Sequence, residues 1–106
     1  NAKKNNIKNI TFYDSDIKDF FTNQNTKIDK PNTIIIDPPR PGLHPNVVKD
    51  IIILSPSKII YISCNPSTQA RDVKIFLEED YKICDIQPID MFPHTPHIEC
   101  IITLKK

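Results

Sequence analysis

The apolar positions of this 106-residue chain fall into short blocks that switch between a strand pattern and a helix pattern. "TIIID" (33–37) and "KIIYIS" (58–63) are unbroken runs of β-branched and aromatic residues, the pattern of strands buried on both faces. Between them, "HPNVVKDIIILS" (44–55) spaces its apolar residues for a helix and carries Pro45 at a first helical position. "NPSTQARDVKIFLEEDY" (65–81) predicts a second helix, with Asn65 as N-cap and Pro66 at its first position. Ala70, Val73, Phe76 and Leu77 are its expected inner face. "YKICDIQPID" (81–90) and "IECIITLKK" (98–106) predict two closing strands joined by "MFPHTPH". Upstream, "NITFYDSD" (9–16) reads as a short strand, and "IKDFFTNQNTKIDKPN" (17–32) as one helical turn followed by a loop.

Strand, helix, strand, helix, strand is the alternation of an α/β fold. Two final strands with no helix between them imply that the last enters antiparallel to an otherwise mostly parallel sheet. In such sheets ligands bind beyond the carboxyl ends of the strands. Here those ends carry "DPPRPG" (37–42) and "SCNP" (63–66). Both candidate loops therefore point the same way.

Composition narrows the class. Fourteen basic residues against 13 acidic leave no global attraction to a polyanion, so any nucleic-acid surface must be local or lie elsewhere. No apolar run approaches the ~20 residues of a membrane-spanning helix, and "NAKKNNIKN" lacks the apolar centre of a signal peptide. Three cysteines at long spacings argue against a disulfide framework and for a reducing, cytosolic setting. Ten prolines stand beside a single glycine, Gly42, so the chain carries no glycine-rich loop of its own. The first residue is not Met, and the expectation is a fragment with sequence missing upstream.

Three places carry candidate chemistry. Cys64 follows a strand and precedes a helix start, where the unpaired amides favour a thiolate; equally, it could be a small apolar residue filling space. In "DPPRPG", Asp37 stands at a strand end where it can accept from hydroxyls or an ammonium. Pro38 and Pro39 stiffen the wall beside it, and Arg40 adds a forked donor suited to phosphate or carboxylate. The bland alternative is an ordinary turn. Glu99 opens the last strand between Ile98 and Cys100; a carboxylate in so apolar a segment is costly unless paired or working, which suits a general base, unless alternation simply turns it to solvent. His94, His97 and Cys100 form a rival zinc set, weakened because Pro93 and Pro96 keep the segment extended and no paired C-x-x-C accompanies it.

"IIIDPPRPGL", "IIYISCNPSTQARDV" and "IQPIDMFPHTPHIECIITL" together resemble the C-terminal catalytic part of the S-adenosylmethionine-dependent RNA 5-methyluridine methyltransferases. The resemblance runs from Asn9 onward and is similar to the 23S ribosomal RNA enzymes more than to the transfer-RNA enzyme. It implies a Rossmann-like fold and a role for each matching residue. Cys64 would be the nucleophile toward C6 of uracil, and Glu99 the base that removes the C5 proton. Asp16 and Asp37 would contact S-adenosylmethionine, and Pro38, Arg40, Asn65, Phe92 and His94 would face the RNA substrate. No metal and no membrane are implied. The family's upstream cofactor loop and RNA-binding regions are missing from residues 1–106, so the expectation is a segment unable to methylate RNA by itself. A noncatalytic α/β binding module is the contrasting reading. An amino-group methyltransferase is a third, and it would need no cysteine at position 64.

Overall fold

The computed structural model describes residues 9–13, 16, 30–89 and 98–106. The elements are β1 (Thr33–Ile36), α1 (Pro45–Leu54), β2 (Lys58–Ser63), α2 (Pro66–Leu77), β3 (Lys82–Ile89) and β4 (Glu99–Lys105). They form one sheet in the order β1-β2-β4-β3. β1 and β2 are parallel, and β4 is antiparallel to both β2 and β3. Three strands thus share one direction and β4 alone opposes them. The direction of β4 is as expected, but it makes two of the three neighbouring pairs antiparallel.

The helices begin and end where local chemistry requires. His44 caps α1, its Nδ1 accepting from the Asn46 N–H at 3.1 Å, and Pro45 takes the first turn. α1 stops at Ser55, which adopts a left-handed conformation (φ 53°) and returns its N–H to the Ile51 and Ile52 carbonyls. Asn65 caps α2 as expected, its Oδ1 accepting from Ser67 and Thr68.

Both helices lie on one face of the sheet. The registers Ile34↔Ile59↔Leu104 and Ile36↔Tyr61↔Ile102 put those side chains on the same side. Ile36, Ile59, Tyr61, Ile102 and Leu104 join Val47, Val48 and Ile51 of α1 and Val73 and Phe76 of α2 in one core. Burying each large member contributes roughly 1.5–3 kcal/mol. Tyr81 closes the foot of the core, edge-on to Phe76 at 6.0 Å between ring centroids and donating to the Pro56 carbonyl.

Three expectations need correction. β1 is not buried on both faces: it is an edge strand, and Ile35, on the face without described helices, is 65% exposed. Residues 9–13 and 16 are in no strand, and Ile10, Phe12 and Tyr13 are exposed. An alternating segment becomes a strand only with a partner to pair with, and none of the four strands pairs with it. On α2 the inner face is rotated. Val73 and Phe76 are buried, but Ala70 and Leu77 are exposed and the polar Gln69 and Asp72 take the inner positions. Residues 17–29 and 90–97, with the expected turn of helix and the "MFPHTPH" connection, lie outside the described residues.

Candidate active site

The loop after β1 is short of donors, because Pro38, Pro39 and Pro41 have no N–H. It turns through a Gly42 N–H to Pro39 carbonyl bond of 2.9 Å, with Gly42 at φ +83°. A Cβ on Gly42 would stand 2.7 Å from both the Arg71 guanidinium and an Asp72 carboxylate oxygen. Backbone angle and space both require glycine here.

α2 supplies what the loop lacks. The Arg40 carbonyl accepts from Asn65 Nδ2 (3.1 Å) and Thr68 Oγ1 (2.9 Å), and the Pro41 carbonyl accepts from Arg71 Nη2 (2.8 Å). The buried Leu43 N–H donates to Asp72 Oδ2 at 2.8 Å. The same oxygen accepts from the Tyr61 hydroxyl at 2.6 Å, while Arg71 Nε donates to Asp72 Oδ1 at 3.1 Å. Asp72 is only 1% exposed, and both oxygens of its carboxylate are met by donors, which offsets the cost of burying the group. Burial, and then the hydrogen bond to Asp72, push the Tyr61 phenol well above its ordinary pKa.

The loop after β2 is built on Ser63. Its Oγ accepts from the Asn65 N–H (2.9 Å) and donates to the Asn65 carbonyl (3.0 Å), bending the chain as it leaves the strand. Cys64 sits in that bend, half-buried, immediately before the α2 cap. The β2–β4 ladder runs from Lys58↔Lys105 to Ser63↔Cys100. Cys64 follows the last paired residue of β2, and Glu99 precedes that residue's partner on β4. The half-buried Glu99 pairs with Ile89 of β3.

Asp16, Asp37 and Pro38 line one cavity of about 450 Å³, with Ile35, Pro39 and His44 among its other walls. Cys64 and Glu99 are not walls of that cavity. Arg40 is exposed, and Asn65 uses its side chain on the helix cap and the Arg40 carbonyl. The structure therefore places Asp16, Asp37 and Pro38 around one cavity, and Cys64 and Glu99 each one residue from the last β2–β4 pair. Phe92 and His94, and with His97 the rival zinc set, lie outside the described residues.

Sequence reasoning missed Tyr61, Gln69, Asp72 and His44. The first three hold the site's two loops and strand ends together. The signal was available: 69, 72, 73 and 76 follow i, i+3, i+4, i+7 spacing, but choosing by apolarity favoured 70 and 77 instead.

Comparison with known proteins shows the family. The chain is 47% identical to an uncharacterized RNA methyltransferase of Bacteroides thetaiotaomicron, over 99% of this chain and 23% of the relative. It is 46% identical to one of Thermotoga maritima, over 100% of this chain and 24% of the relative. The chain thus spans about a quarter of the length of these relatives. Among solved structures it is similar to the Pyrococcus abyssi tRNA (uracil-54, C5)-methyltransferase in complex with S-adenosyl-L-homocysteine. That likeness has a TM-score of 0.76 and 40% identity, over 97% of this chain and 24% of the other. The family model of tRNA (uracil-5-)-methyltransferases matches residues 3–106. The chain therefore belongs to the tRNA (uracil-5-)-methyltransferase family.

Proposed function

We propose that this chain is the nucleophile-bearing part of an enzyme that methylates C5 of a uridine in RNA, with S-adenosylmethionine as methyl donor. The observation that supports the reading is the β2–β4 ladder, whose last pair, Ser63↔Cys100, is flanked in sequence by Cys64 on one strand and Glu99 on the other. C5 and C6 are adjacent ring atoms, so a nucleophile for one and a base for the other must converge on a span that small.

The 450 Å³ cavity fits the donor. Ile35, Pro38 and Pro39 offer apolar walls to a purine ring, and the carboxylates of Asp16 and Asp37 suit hydroxyl or ammonium donors. The bound donor supplies an electrophilic methyl group. The chain's own residues do the rest. The Cys64 sulfur adds to C6 and pushes electron density onto C5, which then accepts the methyl group. Glu99 takes the C5 proton, the C–H electron pair re-forms the C5–C6 double bond, and the S–C6 bond breaks to release Cys64. The base must be flipped out or already unpaired to enter, which suits loops of structured RNA.

The resemblance of "DMFPHTPHIE" to the 23S ribosomal RNA enzymes favours a ribosomal substrate, while the likeness to a tRNA (uracil-54, C5)-methyltransferase supports a transfer-RNA substrate at least as well. Pro38, Arg40 and Asn65 are the proposed RNA contacts among the described residues, and the 106-residue segment alone is proposed to be inactive. The test incubates the full-length protein and S-adenosylmethionine with ribosomal or transfer RNA containing 5-fluorouridine. Fluorine at C5 does not leave as a proton, so the adduct is trapped. A covalent protein–RNA species lost in Cys64→Ala supports the reading, and the RNA that carries it identifies the substrate. Continued methylation of ordinary RNA with no adduct on either RNA overturns it.

A further inference from the structure

Gln69 lies on the inner face of α2, is 1% exposed, and sits in neither loop. Its Nε2 donates twice, to the Tyr61 carbonyl of β2 at 3.0 Å and to the Cys100 carbonyl of β4 at 2.9 Å. Tyr61 is three residues before Cys64, and Cys100 is the residue after Glu99. One buried amide therefore ties together the two strands that carry the proposed nucleophile and base, close to the ends where those residues stand.

As filler this is a poor choice. Leucine or methionine would occupy the space without the cost of burying an amide. What an amide adds is a fixed separation between two carbonyls on two strands. Among the described residues no buried side-chain polar atom lacks a partner, so the arrangement is complete as it stands. We propose that Gln69 is a positioning residue, which holds the Glu99 end of β4 at its working distance from the Cys64 end of β2. The proposal rests on the reading of Cys64 and Glu99 given above.

The two halves of the reaction should respond differently. Sulfur addition and methyl acceptance need Cys64 and the methyl donor in place. Release of product needs Glu99 at C5 while the sulfur leaves C6, so it depends on the separation of the two strand ends. Displacing a reacting group by about 1 Å can cost on the order of a hundredfold. Losing the amide should therefore slow release more than methyl transfer.

The experiment uses the full-length protein in single turnover, with RNA and donor labelled in the transferred methyl. It separates label held in a covalent protein–RNA species from label in free RNA. For Gln69→Met, methyl transfer is expected within about threefold of wild type while release slows about tenfold or more, so methylated adduct accumulates. Gln69→Leu should behave alike. Equal slowing of both steps, or no change in either alongside a lowered melting temperature, assigns Gln69 a purely structural role and overturns the proposal. Loss of folded protein in both variants does the same. The 5-fluorouridine trap on wild type is run in parallel. Absence of that adduct removes the reading beneath the proposal, whereas its presence with normal release in Gln69→Met sinks the proposal alone.

Discussion

Asp72→Asn is a sharp test of how the site is held together, because it changes one atom of a fully buried group. Asp72 Oδ2 accepts from the Tyr61 hydroxyl and the Leu43 N–H, and Oδ1 accepts from Arg71. An asparagine that keeps its oxygen toward Tyr61 and Leu43 retains both bonds but in neutral form. A hydrogen bond to a charged group contributes about 1.5–3 kcal/mol and a neutral one about 0.5–1.5. Two such reductions come to about 2–3 kcal/mol. The asparagine N–H₂ then faces the Arg71 guanidinium, donor against donor. That adds little directly, because the Arg71 side chain is 54% exposed and such pairs are weak. It does, however, free Arg71 to release the Pro41 carbonyl. The loss should appear first where the loop is pinned. Hydrogen exchange at the Leu43 amide in the full-length protein should quicken by roughly 30–150-fold, the factor that corresponds to 2–3 kcal/mol of easier opening. Amides of β3 should be nearly unchanged, because Asp72 makes no bond to that strand. A Leu43 amide that exchanges as in wild type would refute the claim that Asp72 pins the loop. Uniform acceleration across the sheet would show a general destabilisation instead.

Other consequences can be checked alongside. Gly42→Ala should destabilise by at least about 1–2 kcal/mol for the left-handed backbone alone, and by more because the new Cβ meets Arg71 and Asp72 at 2.7 Å; unfolding of the variant by denaturant measures it. Burial raises both the Tyr61 and the Tyr81 phenol, so the folded state keeps protons that the unfolded chain gives up. Their contribution is fully present below the ordinary phenol value of about 10 and is lost as pH climbs above it. Alkaline unfolding should therefore flatten in Tyr61→Phe or Tyr81→Phe, and an unchanged slope would contradict the burial argument. Among the cysteines, Cys64 should alkylate first at near-neutral pH and Cys100 last, since burial pushes the Cys100 thiol up. Mass analysis of modified peptides gives the order, and three equal rates would favour a noncatalytic module.

Much of the fold was legible because its signals are local. Pro45 and Pro66 mark two helix starts, Asn65 caps one, and the β-branched runs at 33–37 and 58–63 became β1 and β2. Cys64 and Glu99 stood out as reactive types at strand ends. What was not legible depends on neighbours distant in sequence. Ile35 reads as buried, yet its face has no described helix against it. The 9–16 segment has the composition of a strand, yet its described residues, 9–13 and 16, pair with none of the four described strands. Gln69 and Asp72 read as the solvent side of a helix. Their partners, the Tyr61 and Cys100 carbonyls and the Leu43 N–H, become visible only once the strands and the proline loop are folded beside α2.

The most direct test of the central claim is the mass of the Cys64-containing peptide after full-length Glu99→Gln protein has reacted with ordinary RNA and S-adenosylmethionine. If Cys64 attacks the base and Glu99 completes the reaction, that peptide carries a nucleotide that already bears its new methyl group, and free methylated RNA is scarce. Free 5-methyluridine at the wild-type rate with Cys64 unmodified, or an adduct on Cys84 or Cys100, would contradict the account.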